Sequence, residues 1–283
     1  GVESVDALLH LGKNVTCVEF ADRIRMPFDR EISALAEKEL ISKGVSLRTS
    51  EKVVSIQGGQ SVSSVVTDKG QYPADLVVLS IGVRPATEFL RDTGIQMAPN
   101  GALIVDREMR TSIADIWAAG DCSLVYHKGL KEKAFLALGT VANKCGRIAG
   151  ENIMGKHIKF TGALGSAAIK VCDLEMGRTG LGEAEAQRQA IDYRTGIVEA
   201  MDHPAYYPDP TPITIKLIYE AGTRRLLGAQ TAGIKGAVMR VDVFAVAIHN
   251  NMTTDELGMT DLVYAPPFAG VWDAVHIAAN AAK

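Results

Sequence analysis

The chain has 283 residues, 47% of them hydrophobic and 22% charged, with a formal net charge of -3. That is the balance of an ordinary globular protein with room for two or three domains. It lacks the basic surplus of a nucleic-acid binder, and no apolar run approaches the ~20 residues of a membrane-spanning helix. No signal peptide is visible, although a truncated N-terminus would hide one; the expected location, read from cysteines that look reduced, is cytoplasmic.

The first segment, Gly1 to Gly12, reads as a helix, and Asn14 to Phe20 as a strand ending in an acid at Glu19. This is the second half of a dinucleotide-binding βαβ unit. In such units the last glycine of the turn lets the helix pack closely on the strand, and a pyrophosphate sits at the helix N-terminus. With Gly1 as that glycine, the preceding strand is missing, and the chain is expected to be a piece of a larger flavin enzyme. Glu31 to Lys43 has apolar residues at helical spacing, with Gly44 as the stop. Val45–Arg48 and Lys52–Ile56 read as short strands. Ser61–Asp68, the turn at Lys69-Gly70 and Gln71 onward read as a hairpin. The Val-rich run from Leu76 to Val83 suits a buried parallel strand over Ala74–Ser80.

A second unit follows Pro85. Gly101–Asp106 and Ala114–Ala119 read as strands, and a long helix is expected over about 134–153. From about Lys159 the pattern changes to strands and turns. Ser166–Val171, Asp192–Ala200, Pro212–Tyr219 and Arg225–Ala232 are expected to form a four-stranded mixed sheet. A helix over Gly236–Asn250, a short helix near Thr253 and a last one over Val271–Ala282 complete the chain.

Four constellations carry chemistry. Gly120-Asp121 ends the segment Thr111-Ser-Ile-Ala-Asp-Ile-Trp-Ala-Ala and leaves a carboxylate at the carboxyl end of a strand, where open α/β sheets bind ligands. It can accept hydrogen bonds from flavin ribityl hydroxyls; the plainer alternative is a turn after a strand. Leu138, Gly139 and Thr140 stand near the start of a helix whose N–H groups suit the N1–C2=O edge of a flavin. The alternative is a helix whose small residues only fit a tight crossing. Gly1 and Glu19 would hold a nucleotide, Glu19 by its ribose hydroxyls, which favours NAD; a surface acid that merely follows a strand is the equal alternative. Arg23 and Arg25 suit a 2′-phosphate instead, which leaves NADP open, and Gly82 suits a close backbone approach to the nucleotide. Finally, His203-Pro-Ala-Tyr206-Tyr207-Pro and Leu262-Val-Tyr264-Ala-Pro-Pro-Phe268 are loops whose tyrosine hydroxyls suit a sulfur or other ligand. Packing at an interface is the competing reading.

Cys17, Cys122, Cys145 and Cys172 form no C-x-x-C pair, and the six histidines have no ligand spacing, so no metal site is expected. Four reduced, mostly buried thiols are the expected state.

In this order the segments resemble the pyridine nucleotide-disulfide oxidoreductases. Within that family the chain is most similar to the coenzyme A-disulfide reductases and NAD(P)H sulfur reductases. Lys170-Val-Cys-Asp-Leu-Glu-Met-Gly-Arg-Thr-Gly180, Tyr206-Tyr207-Pro208 and Tyr264-Ala-Pro-Pro-Phe-Ala-Gly-Val-Trp-Asp273 carry the likeness. The resemblance implies an α/β fold: remnants of two Rossmann-like nucleotide-binding domains, then an α+β dimerisation domain. The parts would be an NAD(P)-binding region over 1–84, the second half of an FAD domain over 85–157, and a dimerisation domain over 158–283.

It further implies hydride transfer from NAD or NADP, in reduced form, to FAD, and then reduction of an active-site cysteine that lies in a part of the family absent here. The acceptor would be coenzyme A disulfide or polysulfide, with NADH oxidase or peroxidase as the enzyme alternative. Glu3 matches an acid beside the nicotinamide. Asp121 matches the flavin acid, and Leu138, Gly139 and Thr140 match backbone at the flavin ring. Tyr264, with Tyr206 or Tyr207, would reach the catalytic sulfur of the partner in a homodimer. The remaining expectation is of another class: taken alone, these 283 residues form a colourless, inactive nucleotide-binding and dimerisation fragment.

Overall fold

The computed structural model describes residues 1–24 and 27–283. The N-terminal part contains α1 (Val2–His10), β1 (Thr16–Val18), α2 (Arg30–Ser42) and β2 (Ser46–Arg48). β1 and β2 pair in parallel, with Cys17 opposite Leu47. Parallel neighbours need a crossover, and α2 supplies it. Ile32, Ala36 and Leu40 recur every four residues along α2 and are fully buried. An antiparallel meander of β3 (Val53–Gly58), β4 (Val62–Thr67) and β5 (Gln71–Pro73) follows.

The expected buried strand over Ala74–Ser80 is not formed. The run is exposed, with Leu76 and Leu79 at 67% and Ile81 at 91%, and no strand is assigned there. A strand exists only by pairing, and no described strand pairs with this run. It passes close to the start of α1: a Cβ on Gly1 would lie 3.2 Å from the Ser80 Cβ.

The middle part holds β6 (Leu103–Ile104), β7 (Ser123–His127), β8 (Glu132–Phe135) and α3 (Gly139–Ile153). β6 runs parallel to β7, and β7 and β8 form a hairpin. Ala114–Ala119 is not a strand. Asp115 has φ 61, which breaks an extended run, and only Trp117 bridges to Arg110. The helix expected from 134 begins at Gly139 because the preceding residues are taken by β8.

The C-terminal part contains β9 (Ala167–Val171), β10 (Leu174–Gly180), α4 (Glu183–Arg188), β11 (Tyr193–Met201), β12 (Pro212–Glu220) and β13 (Leu226–Gly233). Then come α5 (Ala237–His249), α6 (Thr254–Gly258) and α7 (Ala274–Ala281). The sheet has five strands in the order β11-β12-β13-β10-β9. Every neighbour is antiparallel, which corrects the expected four-stranded mixed sheet.

Period-two alternation gives this sheet two buried faces. Ile213, Ile215, Leu217 and Tyr219 of β12 pack with Phe244 of α5 and Val275 and Ala278 of α7. On the other face Val171, Leu174, Met176 and Ala232 pack with Val2 and Val5 of α1 and with Ile32, Ala36 and Leu40 of α2. Each fully buried side chain of this size contributes about 1.5–3 kcal/mol, so the N-terminal helices are held firmly on the C-terminal sheet.

A polar node reinforces that contact. Lys216 of β12 is 1% exposed. Its Nζ lies 3.4 Å from Asp29, 2.6 Å from Glu31 and in direct contact with Glu183. The Asp29 amide donates to Gln230 Oε1 at 2.8 Å, and Arg178 Nη1 donates to the Pro27 carbonyl at 2.6 Å.

Candidate nucleotide, flavin and tyrosine sites

Three groups of residues stand apart in the fold. The first is at α1. Gly1 is its N-cap and offers no side chain to the free N–H groups of the first turn, which leaves that end suited to an anion. Glu19 follows β1 and is half-buried. One of its carboxylate oxygens accepts the Ala21 amide at 2.8 Å, which fixes the side chain at the strand end. Arg23 pairs with Asp22 at 3.8 Å on the surface, and Arg25 lies outside the described residues. Gly82 has φ 96 and stands in the exposed run beyond Ser80. Glu3 lines an open cleft of about 750 Å³ with Lys170, Asp173, Glu175 and Val238. The cleft lies where α1 meets β9, β10 and α5.

The second group is at α3. Gly120 has φ 86, and a Cβ on it would meet Ala142 Cβ at 3.6 Å. The Gly120-Asp121 turn therefore rests on the first turn of α3, the helix that Leu138 caps and Gly139 and Thr140 begin. Asp121, Gly139 and Thr140 are exposed. Leu138 is the N-cap and has no capping side chain, so a fifteen-residue helix presents uncapped N–H groups next to a carboxylate. That pair of features can hold a polar chain by its hydroxyls and an electron-rich ring edge by the helix end. The Trp117 Nε1, three residues before Gly120, is buried without a hydrogen-bond partner. Nothing in the sequence pattern marks that orphaned donor, since it depends on what surrounds the indole.

The third group joins the two tyrosine loops. Tyr206 and Tyr264 are 58 residues apart in the chain, yet their hydroxyls are 3.1 Å apart. Both rings are exposed, at 72% and 48%. Tyr207 turns away and meets His203 edge-on at 5.6 Å. Of the two adjacent tyrosines, the structure thus pairs Tyr206, not Tyr207, with Tyr264. The hydrogen bond to Tyr264 pushes the Tyr206 phenol up from its ordinary value.

The thiols contrast with these groups. All four cysteines are unpaired. Burial pushes the Cys145 thiol up to about 11. Burial also raises Cys17 and Cys172, helped by nearby carboxylates. A thiolate is the reactive form, and redox cysteines sit where it is favoured; these three sit where it is disfavoured. Among the described residues no group of three or more His, Cys, Asp or Glu is placed to hold a metal. No described helix is long and apolar enough to cross a membrane.

Comparison with known proteins matches the chain in two stretches. Residues 1–146 match the sequence profile of the pyridine nucleotide-disulphide oxidoreductases, and residues 166–275 match the dimerisation domain of that family. The NAD(P)H sulfur oxidoreductase (CoA-dependent) of Pyrococcus furiosus is 38% identical over 283 residues, which is all of this chain and 64% of that protein. The NADH oxidase of Enterococcus faecalis is 31% identical over 285 residues, again all of this chain and 64% of the relative. The solved structure of an NAD-dependent persulfide reductase from A. fulgidus superposes with a TM-score of 0.94 at 38% identity, covering 99% of this chain and 52% of that one. The chain thus spans less than two thirds of the length of the relatives it matches. With one family profile over its first half and the companion dimerisation profile over most of its second, the chain belongs to the pyridine nucleotide-disulphide oxidoreductases.

Proposed function

We propose that these residues form the nucleotide-binding, flavin-contacting and dimerising parts of an NAD(P)H-dependent disulfide reductase whose acceptor is coenzyme A disulfide or a polysulfide. The observation that carries the reading is the Tyr206–Tyr264 pair. Two phenol hydroxyls 3.1 Å apart on exposed, proline-braced loops share one hydrogen bond, in which one donates to the other and the acceptor keeps its own O–H free to donate outward. Such a pair suits a sulfur anion or a departing thiolate, which needs hydrogen-bond donors more than a base.

Each part of the chain has a task in that scheme. Gly1 and the first turn of α1 hold the pyrophosphate of NAD or NADP, and Glu19 holds its ribose. Glu3 lies at the nicotinamide end, and Gly82 lets the backbone approach the nucleotide. Asp121 accepts hydrogen bonds from the flavin side chain, Gly120 leaves room for it, and Leu138, Gly139 and Thr140 present N–H groups to the ring edge. FAD, when bound, supplies the acceptor for hydride and the relay of two electrons to sulfur. The division falls into residues 1–84 for NAD(P), 85–157 for the flavin and 158–283 for association. In the homodimer, Tyr206 and Tyr264 serve the site of the opposite subunit.

The redox sulfur belongs to a part of the enzyme other than these 283 residues. Buried Cys145, with its thiol pushed up to about 11, is a packing residue. Standing alone, the chain is therefore colourless and inert toward NADH. A yellow preparation with stoichiometric flavin would contradict this.

The decisive measurement compares acceptors in the full-length enzyme. Turnover with coenzyme A disulfide is expected, and Tyr264→Phe should lower it by about tenfold to a hundredfold, the range of one lost transition-state hydrogen bond. Reduction of the flavin by NADH should be unchanged. Fast turnover with oxygen or peroxide, and none with the disulfide, would instead assign the enzyme to the NADH oxidases, which the chain also resembles at 31% identity.

A further inference from the structure

The tyrosine pair cannot hold itself. Its two rings are largely exposed, and a single hydrogen bond between exposed hydroxyls is worth too little to fix two loops. Something behind it must set the distance between a loop after β11 and a loop before α7.

One side chain touches the base of both. Arg240 of α5 is mostly buried, its side chain 12% exposed. Its Nη2 donates to the Asp202 carbonyl at 2.7 Å, where β11 passes into the loop that carries Tyr206. The same guanidinium grips Asp273, from Nε at 3.0 Å and from Nη2 at 2.7 Å. Asp273 ends the Tyr264 loop and caps α7, accepting the Val275 amide at 2.8 Å. Nη2 also reaches the Phe268 carbonyl at 3.5 Å, inside that loop, and Nη1 donates to Gly236 at the start of its own helix.

Each loop is rigid beyond this point. Asp202 Oδ1 accepts the amides of His203 and Thr211 at 3.0 and 2.7 Å, closing the first loop on itself. His203 Nε2 meets the Pro208 carbonyl at 2.9 Å. In the second loop the Asp273 amide donates to His276 Nδ1, and His276 Nε2 meets the Thr260 carbonyl at 2.8 Å. Two stiff loops joined through one guanidinium behave as a single body.

We propose that Arg240 is the positioning residue of the Tyr206–Tyr264 pair: its guanidinium, bound to the base of both loops, sets the separation of the two hydroxyls. A planar fork with five donors is needed for this. Nη2 alone reaches both the Asp202 carbonyl and the Asp273 carboxylate at 2.7 Å, and a lysine ammonium, which ends at about the position of the guanidinium carbon, stops one bond short of that point and lacks the Nε contact to Asp273. The catalytic meaning of the inference rests on the proposed disulfide reductase; the structural claim does not.

The test uses the 283-residue chain with tyrosine labelled at Cζ with carbon-13. In the native chain, Tyr264→Phe removes the partner hydroxyl and should shift the Tyr206 resonance. In Arg240→Lys that response should vanish, while the amide spectrum of β11 to β13 stays native. Arg240→Met with Asp273→Asn, which avoids an unpaired buried carboxylate and keeps a capping oxygen, should also lose it. A Tyr206 response that survives in either folded variant overturns the proposal. Unfolding of both overturns it too, by making Arg240 a residue of general stability. In the full-length enzyme, Arg240→Lys should lower kcat with coenzyme A disulfide by about as much as Tyr264→Phe, with flavin reduction by NADH unchanged, and the two substitutions together should cost no more than one. If the native enzyme ignores the disulfide, the functional reading fails while the resonance experiment still decides the role of Arg240.

Discussion

At the scale of single residues, the buried charges say most about how the parts are joined. Lys216 is 1% exposed and faces Asp29 and Glu31 at the N-terminal edge of α2 and Glu183 at the start of α4. Burial alone would push the Lys216 ammonium down, but the hydrogen bonds to Glu183 and Glu31 outweigh it and its pKa is raised. Removing the cation leaves three carboxylates facing each other. Lys216→Met should therefore cost roughly 3–5 kcal/mol in urea unfolding, the usual result of breaking a buried ion pair from one side. A loss below about 1 kcal/mol, as for an exposed pair, would mean that the node is solvated. Glu185 gives a pH signature. Burial opposes its ionisation, but the Arg178 charge and the Gly182 amide win and hold it below the ordinary carboxylate value. A depressed folded pKa means the unfolded chain binds more protons, so the stabilisation is present above about pH 4.3 and is lost as pH falls through the folded value. Glu185→Gln should flatten the acid side of a Tm-against-pH curve; an unchanged slope there would assign acid unfolding to other carboxylates.

At the scale of elements, glycines separate tight joints from open ones. A Cβ on Gly228 of β13 would fall 1.8 Å from the Leu181 carbonyl oxygen. That is backbone against backbone where β10 leads into α4, so no rotamer change relieves it. Gly146, inside α3, has nothing within 4 Å of the same added atom. Gly228→Ala should cost at least ~3 kcal/mol, whereas Gly146→Ala should stabilise by about 0.4–1 kcal/mol through helix propensity and the unfolded chain. Thermal melts of the two variants check both signs. The elements also show what periodicity can and cannot say. The stripe of Ile32, Ala36 and Leu40 and the capping box of Thr253 with Glu256 are local patterns, and α2 and α6 form where those patterns predict. β10 alternates only over Leu174-Glu-Met and then runs into Gly-Arg-Thr-Gly180, too short a pattern to mark a strand; its two strand neighbours, β9 and β13, decide its conformation. The Leu76–Val83 run has all the marks of a buried strand and is not one, because hydrophobicity supplies the motive for burial but pairing supplies the strand.

At the scale of the whole molecule, the five-stranded sheet is covered by α5 and α7 on one face and by the N-terminal helices on the other, while an apolar run stands open near the start of α1. Ile81 is 91% and Val83 70% exposed, an arrangement that favours association of chains. Ile81→Asp should leave the midpoint of unfolding within about 0.5 kcal/mol of native and should reduce concentration-dependent scattering; a large loss of stability would show that the run is buried in solution. Association through residues 158–283 is a separate expectation. A dimer by light scattering at micromolar concentration that persists in Ile81→Asp would support it, and a monomer would count against it. Sequence alone determined the residue types and local order on which the family rests: the glycine at the start of α1, the acid after β1, Gly120-Asp121, the small residues opening α3 and the two tyrosine loops. Those signals are carried by neighbours in the chain, so they survive without a fold. Only the tertiary structure decided that Gly120 sits against α3, that Tyr206 rather than Tyr207 meets Tyr264, and that Arg240 bonds the base of both their loops. The residues of each such group meet only once the strands and helices pack, and no spacing along the chain encodes a 3.1 Å contact across 58 residues.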